Sequence, residues 1–214
     1  IALAKDTQNS SQLLKQLELA VEEGNYLAEF SLANIYMDGL EGVKRNQEKG
    51  FIHLLNVANS GHKNAQYSVA NAYKLGTGTP VNIEKSLHWY LKAAEQNHAM
   101  AQYQASMLLW ETNWGEQGIS LLKQAANAGV NKAQFLLGGI YSGGVGTEKD
   151  YQTAYVWYSV AVAMGDEKAI KWRDSMSTKL NSSTVSQAQH KASELVKRIK
   201  KNQAANIAQQ QVNT

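Results

Sequence analysis

The stretch KNAQYSVANAYKLGTGTPVNIEKSLHWYLKAAEQNH, Lys63 to His98, decides the fold because it reads as one complete structural unit. Ala65, Val69, Ala70 and Tyr73 fall at i, i+4, i+5 and i+8, which is one face of a helix. Gly76-Thr77-Gly78-Thr79-Pro80 stops that helix and contains the chain's only proline. Asn82 is placed to cap a second helix, whose apolar stripe is Leu87, Trp89, Tyr90, Ala93 and Ala94. Neither helix can bury its stripe alone, so the two must stack on each other and on neighbouring pairs.

The unit recurs. Alanines equivalent to Ala65 stand at Ala28, Ala101 and Ala133, with spacings of 37, 36 and 32 residues. An aromatic follows two positions later each time (Phe30, Tyr67, Tyr103, Phe135), and Tyr36, Tyr73, Leu109 and Tyr141 follow eight positions later. The second helices align on Val57-Ala58, Ala93-Ala94, Ala125-Ala126 and Ala161-Val162, with Leu54, Tyr90, Leu122 and Tyr158 upstream. They are preceded by His53, Trp89, Leu121 and Trp157. Each unit closes on Gly61, Asn97, Gly129 or Gly165, residues that tolerate a left-handed turn.

These residues resemble the Sel-one-like repeat family, a branch of the tetratricopeptide-type helical solenoids. The fourth copy carries the resemblance best, through Ala133, Leu137-Gly138, Tyr141, Gly144-Val145-Gly146, Asp150, Ala154, Trp157-Tyr158 and Gly165. The likeness covers about Leu13 to Asp166. It implies an all-α, right-handed α-α superhelix (solenoid) of antiparallel helix pairs with a C-terminal helical cap. Copy three departs from the pattern: Glu111-Thr112-Asn113-Trp114-Gly115 replaces the long glycine loop, which should draw its two helices together.

The expected organisation is an N-terminal helix and partial repeat over 1–27, four repeats over 28–166, capping helices over 167–200 and a tail over 201–214. Ser10 or Ser11 is the expected cap of a helix running to Glu23, with Leu13, Leu17, Ala20 and Val21 on one face. Ending in Gly24, it matches the second helix of an earlier, incomplete unit. Beyond Gly165, Trp172 and Met176 anchor a more polar helix. A second, starting at Asn181 or Ser182, carries Ala188, Ala192, Leu195, Val196 and Ile199. Solenoid ends need a polar outer face, and these helices suit that role. Lys201 to Thr214, rich in Gln, Asn and Ala, reads as a frayed helix or a tail.

Composition narrows the function classes. With 43% hydrophobic residues the chain can bury a sizeable core. A net charge of +3 gives no argument for nucleic acid or an anionic membrane. No apolar run is long enough to span a bilayer. Zero cysteines exclude disulfides, zinc-thiolate sites and a thiol nucleophile. Ala2-Leu3-Ala4 fits either the end of a secretory signal or an ordinary helix start. Absent cysteines and degenerate repeats point to a bacterial protein, periplasmic or exported, with the cytoplasm as alternative.

No catalytic set emerges, and no metal or cofactor is expected. His53, His62, His88, His98 and His190 lack the i, i+4 pairing that favours zinc. His53 occupies the position of Trp89 and Trp157, so packing explains it. His62 and His98 follow helix C-termini, where a charged imidazole suits the dipole. The glycine loops follow helices and lack Gly-Lys-Ser/Thr, so they are turns rather than phosphate cradles. Asp38 and Glu41 flank a loop without a pocket and read as solvated charges.

Surface is what remains. In tetratricopeptide solenoids, which the chain resembles, an asparagine six residues after the marker alanine often bonds a bound peptide's backbone. Here that position holds Asn34, Asn71, Met107 and Gly139, and three residues further on stand Met37, Lys74, Trp110 and Ser142. An amide donates and accepts together, which suits peptide backbone. The expected groove set is Asn34, Met37, Tyr67, Asn71, Lys74, Tyr103, Met107 and Trp110, although core packing also accounts for Tyr67 and Tyr103. The reading is a non-enzymatic scaffold or adaptor holding a peptide or partner protein on its concave groove, in assembly or regulation of a bacterial envelope-associated complex. A glycan or cell-wall fragment is the alternative ligand, and a hydrolase on helical repeats the less favoured one. Replacing Asn34 and Asn71 together with alanine should weaken binding without changing the melting temperature.

Overall fold

A computed structural model describes residues 2–40, 42–112 and 115–212, with side chains over 9–40, 42–110 and 115–208. Glu41, Asn113, Trp114 and the side chain of Glu111 lie outside the described residues, and so does the expected effect of the shortened third connection. The chain divides into two compact units, Ile1–Ala101 and Gln102–Thr214.

The first unit holds α1 (Ala2–Glu22), α2 (Tyr26–Asp38), α3 (Gln47–Asn59), α4 (Lys63–Leu75) and α5 (Ile83–Glu95). The second holds nearly all of α6 (Ala99–Thr112), then α7 (Gly115–Asn127), α8 (Asn131–Gly143), α9 (Tyr151–Ala163), α10 (Ala169–Ser177) and α11 (Ser182–Val212). Among the described residues every element is helical apart from an isolated bridge between Leu40 and Val43. Consecutive helices pack: α2 on α3, α3 on α4 and α4 on α5 in one unit, and α7 on α8, α8 on α9, and both α10 and α11 on α9 in the other. The all-α repeat architecture expected from the sequence is present.

Local chemistry sets the pairs. Asn46, Asn82 and Asp150 cap α3, α5 and α9, each accepting from the backbone N–H three residues on (Lys49 at 3.0 Å, Lys85 at 2.8 Å, Thr153 at 2.9 Å). The same residues donate their own N–H to the carbonyl of Tyr36, Tyr73 or Tyr141, at 2.8 Å in all three copies. One residue thus starts the second helix and ties it to the end of the first. The other connection closes on Gly61, Asn97, Gly129 and Gly165, all at positive φ. The following N–H returns to Val57, Ala93, Ala125 or Ala161, five residues back. Gly24 and Asn25 repeat this turn at the end of α1, as expected of a second helix.

The core is made of the predicted stripes. Leu54, Val69, Tyr90 and Ala93 are buried in the first unit, and Leu122, Leu137, Ala154, Tyr158, Ala188 and Ile199 in the second. Gly138 is needed where it stands: a β-carbon there would fall 2.6 Å from the Tyr158 ring. Fully burying one such aliphatic side chain contributes about 1.5–3 kcal/mol, which short helices need because isolated ones are marginal.

Three expectations are corrected or narrowed. Ser10 and Ser11 do not start a helix, because α1 begins at Ala2 and runs through them, with Ser10 buried. Helix-compatible residues precede them, so the backbone has no reason to break. Of the two readings of Lys201 onward, a frayed helix or a tail, the helical one applies, since α11 continues to Val212. Of the α10 anchors, Met176 is buried, but Trp172 remains 42% exposed while stacking on Tyr158 at 6.3 Å.

Candidate functional site

The expected groove residues lie on first helices of the repeats, five of them in the first unit and three in the second. Asn34 and Met37 lie on α2, Tyr67, Asn71 and Lys74 on α4, and Tyr103, Met107 and Trp110 on α6. The two asparagines occupy the same register but different environments. Asn34 is exposed, and its side chain makes no hydrogen bond among the described residues. Asn71 is half-buried, and its Oδ1 accepts the Tyr90 hydroxyl at 2.6 Å. Burial, followed by the nearby Tyr67, pushes the Tyr90 hydroxyl up to about 12, so it stays a donor. The first repeat has Leu54 where Tyr90 stands, which leaves Asn34 without that partner. Replacing both asparagines is therefore not neutral for stability, contrary to the expectation above.

The remaining members are partly committed to packing. Met37 lies under α3, where its Cγ would meet a β-carbon on Gly50 at 2.7 Å. Tyr67 is tilted against Tyr90 at 5.7 Å and stacked on His98 at 4.6 Å, so little of its ring is free. Tyr103 and Trp110 pack on the buried cluster of the second unit, and burial raises the Tyr103 hydroxyl above its ordinary value. Lys74 and Met107 are half-buried. None of the eight lines any of the cavities of about 760, 350 and 260 Å³. Among the described residues no three His, Asp or Glu side chains group to hold a metal.

The histidines need correction. His98 does not offer a charge to a helix C-terminus: its Nδ1 accepts the Ala101 N–H at 3.1 Å, capping α6. That role requires an unprotonated nitrogen, and burial, then Lys63, holds His98 below its ordinary value. The turn between units is so short that the end of one helix is the start of the next. His62 likewise precedes α4, with no side-chain cap bond, and stacks on Tyr26 at 3.7 Å. His53 packs beside Tyr36 at 5.9 Å, as expected, and also meets Glu29 at 3.4 Å.

One set of residues escaped the sequence reading. Gln66, Gln102 and Gln134 directly follow the marker alanines, and all three are buried. Gln66 Nε2 donates to the Ala58 carbonyl at 3.3 Å, and Gln134 Nε2 to the Ala126 carbonyl at 3.1 Å. Each thereby ties a first helix to the second helix before it. Gln102 Nε2 donates to Gln124 Oε1 at 3.0 Å. The recurring Ala-Gln pair was the available signal.

A family model for the Sel1 repeat matches residues 27–62, 63–98, 115–130 and 131–166. The chain belongs to the Sel1 repeat family. Among solved Sel1-type structures, c5321, a protective antigen of uropathogenic Escherichia coli displaying an SLR fold, is 25% identical with a TM-score of 0.73. The match covers 92% of this chain and 43% of that one. A Sel1 repeat protein from Oxalobacter formigenes is 26% identical with a TM-score of 0.69, covering 85% and 84%. The chitin synthase regulator SKT5 of Saccharomyces cerevisiae is 29% identical over 79% of this chain, which spans 26% of that regulator. No helix among the described residues is long and apolar enough to cross a membrane. The protein is a Sel1-repeat helical scaffold.

Proposed function

We propose that this scaffold is non-catalytic and binds a peptide or partner protein through residues of its first helices, in assembly or regulation of an envelope-associated complex. The observation that carries it is Asn34: an exposed amide, with no hydrogen bond among the described residues, at the register where the resembling solenoids read peptide backbone. Half-buried Met37 and Lys74 supply apolar contact and positive charge on the same helices. The name of the yeast relative, a regulator of chitin synthase, fits action on another protein. Trp89 and Trp157 are buried, so their rings are not platforms for a sugar, and the peptide reading is preferred. The test is affinity capture with the wild-type chain beside Asn34→Arg, read by mass spectrometry. A partner retained by wild type and lost from the variant, at unchanged melting temperature, supports the proposal. Equal capture by both removes it.

A further inference from the structure

Charge in this chain is unevenly placed. Residues 167–201 hold nine Lys and Arg against three Asp and Glu, whereas the remainder holds twelve against fifteen. Within that cationic part, the cleft between α9 and α11 encloses a cavity of about 350 Å³. Tyr155 and Ser159 of α9, Arg173 of α10, and Gln189, Ser193 and Lys197 of α11 give it polar atoms, and Ala163, Ala192 and Val196 give it apolar wall. No carboxylate lines it.

The donors there are underused. A helical serine ordinarily returns its hydroxyl to the carbonyl one turn back, as Ser31 does to Leu27 at 2.8 Å. Ser159 does not: its Oγ is buried and has no hydrogen-bond partner among the described residues. An orphan of this kind in a cavity wall calls for a reason. Tyr155 Oη accepts the Gln189 amide at 3.2 Å and so keeps its own proton to donate. Lys197 has no ion pair or hydrogen bond among the described residues. Arg173 is paired with its neighbour Asp174, through Nε at 2.8 Å and Nη2 at 2.7 Å, but that carboxylate is 59% exposed. On α11, His190 Nε2 lies 3.3 Å from Glu194 Oε1, and Arg198 Nη2 donates to Asn127 Oδ1 at 2.8 Å.

Cations and hydroxyl protons thus converge on a small, partly apolar space that lacks an anion. The geometry points to a second binding site, in the α9–α11 cleft, for a carboxylate carried by a peptide, either a chain terminus or an acidic side chain. The volume lies at the lower end of ligand pockets and suits one carboxylate with a short apolar neighbour. Arg173 and Lys197 attract the anion, and the Ser159 and Tyr155 hydroxyls complete its hydrogen bonds. The site is separate from the first-helix face and does not depend on the reading of Asn34.

Calorimetric titration of the full chain tests it with three peptides: acetyl-Ala-Ala-Ala with a free terminus, acetyl-Ala-Asp-Ala-amide, and acetyl-Ala-Ala-Ala-amide. At least one acid is expected to bind and the neutral amide not, and the acid that binds tells terminus from side chain. Lys197→Gln should weaken binding about fivefold, as expected for one exposed charge, while Lys132→Gln leaves it unchanged. Amide resonances of Gln189 and Ser193 should shift on titration. Failure of both acids, equal binding of the neutral peptide, or indifference to Lys197→Gln would overturn the assignment. Displacement of the peptide by a lower concentration of single-stranded oligonucleotide would also overturn it, in favour of phosphate.

Discussion

The Tyr90 hydroxyl donates to Asn71 Oδ1 at 2.6 Å, joining the two helices of the second repeat through a residue that also lies on the candidate binding face. Tyr90 is fully buried, so removing its acceptor leaves a costly unpaired hydroxyl. Asn71→Ala should destabilise the protein by about 1–3 kcal/mol, and Asn34→Ala should leave the melting temperature unchanged. Adding Tyr90→Phe to Asn71→Ala should recover part of the loss. Thermal melts of the four proteins decide it, and equal melting of both alanine variants would refute it.

Gly138 faces the Tyr158 ring, with no room for a β-carbon. Gly138→Ala gains helix propensity but overpacks the core, with a net loss of about 1–3 kcal/mol. Tyr158→Leu in the same chain should relieve the clash, since Leu54 and Leu122 fill that repeat position elsewhere. Denaturant midpoints report both effects, and a stabilised Gly138→Ala protein would contradict the geometry.

Gln134 Oε1 is buried without a partner among the described residues. In the second repeat the corresponding Gln66 Oε1 accepts from Gln96 Nε2 at 2.8 Å, and Gln96 also donates to the Gly61 carbonyl at 2.8 Å. The fourth repeat has Met164 where Gln96 stands, so that donor is missing. Met164→Gln should stabilise the protein by about 1 kcal/mol, whereas Met164→Leu, which restores no donor, should not. A chemical melt showing no difference between the two would sink this explanation.

His98 caps α6 as a neutral ring, and its affinity for a proton is lowered on folding. Its contribution is therefore complete above the unfolded value of about 6.5 and is lost as pH falls through the lower folded value. His98→Asn keeps an N-cap acceptor without that titration. Stability measured from pH 7.5 down to 5 should fall less steeply in the variant. Parallel curves would show that His98 does not titrate as described.

What the sequence disclosed were the local signals. Asn82 as a cap, and Gly61, Asn97, Gly129 and Gly165 as left-handed turns, depend only on neighbours along the chain, so spacing revealed them. The core stripes followed from their 3.6-residue period. The groove set was harder, because Asn34 and Asn71 look alike until the residue across the pair is known, Leu54 in one case and Tyr90 in the other. Gln66 and Gln134 were overlooked because a polar residue beside an alanine reads as solvent-facing, although each is tied to a helix of the preceding repeat. His98 was misassigned for a similar reason: the end of α5 and the start of α6 share one turn.

The most direct test of the binding face is photo-crosslinking from defined positions to a captured partner. A photoreactive amino acid at Asn34, exposed on the first helix of its repeat, should crosslink. The same probe at Ile52, 57% exposed on the second helix, should not. Crosslinks from Ile52 with none from Asn34 would place the partner on the second helices and contradict the proposal.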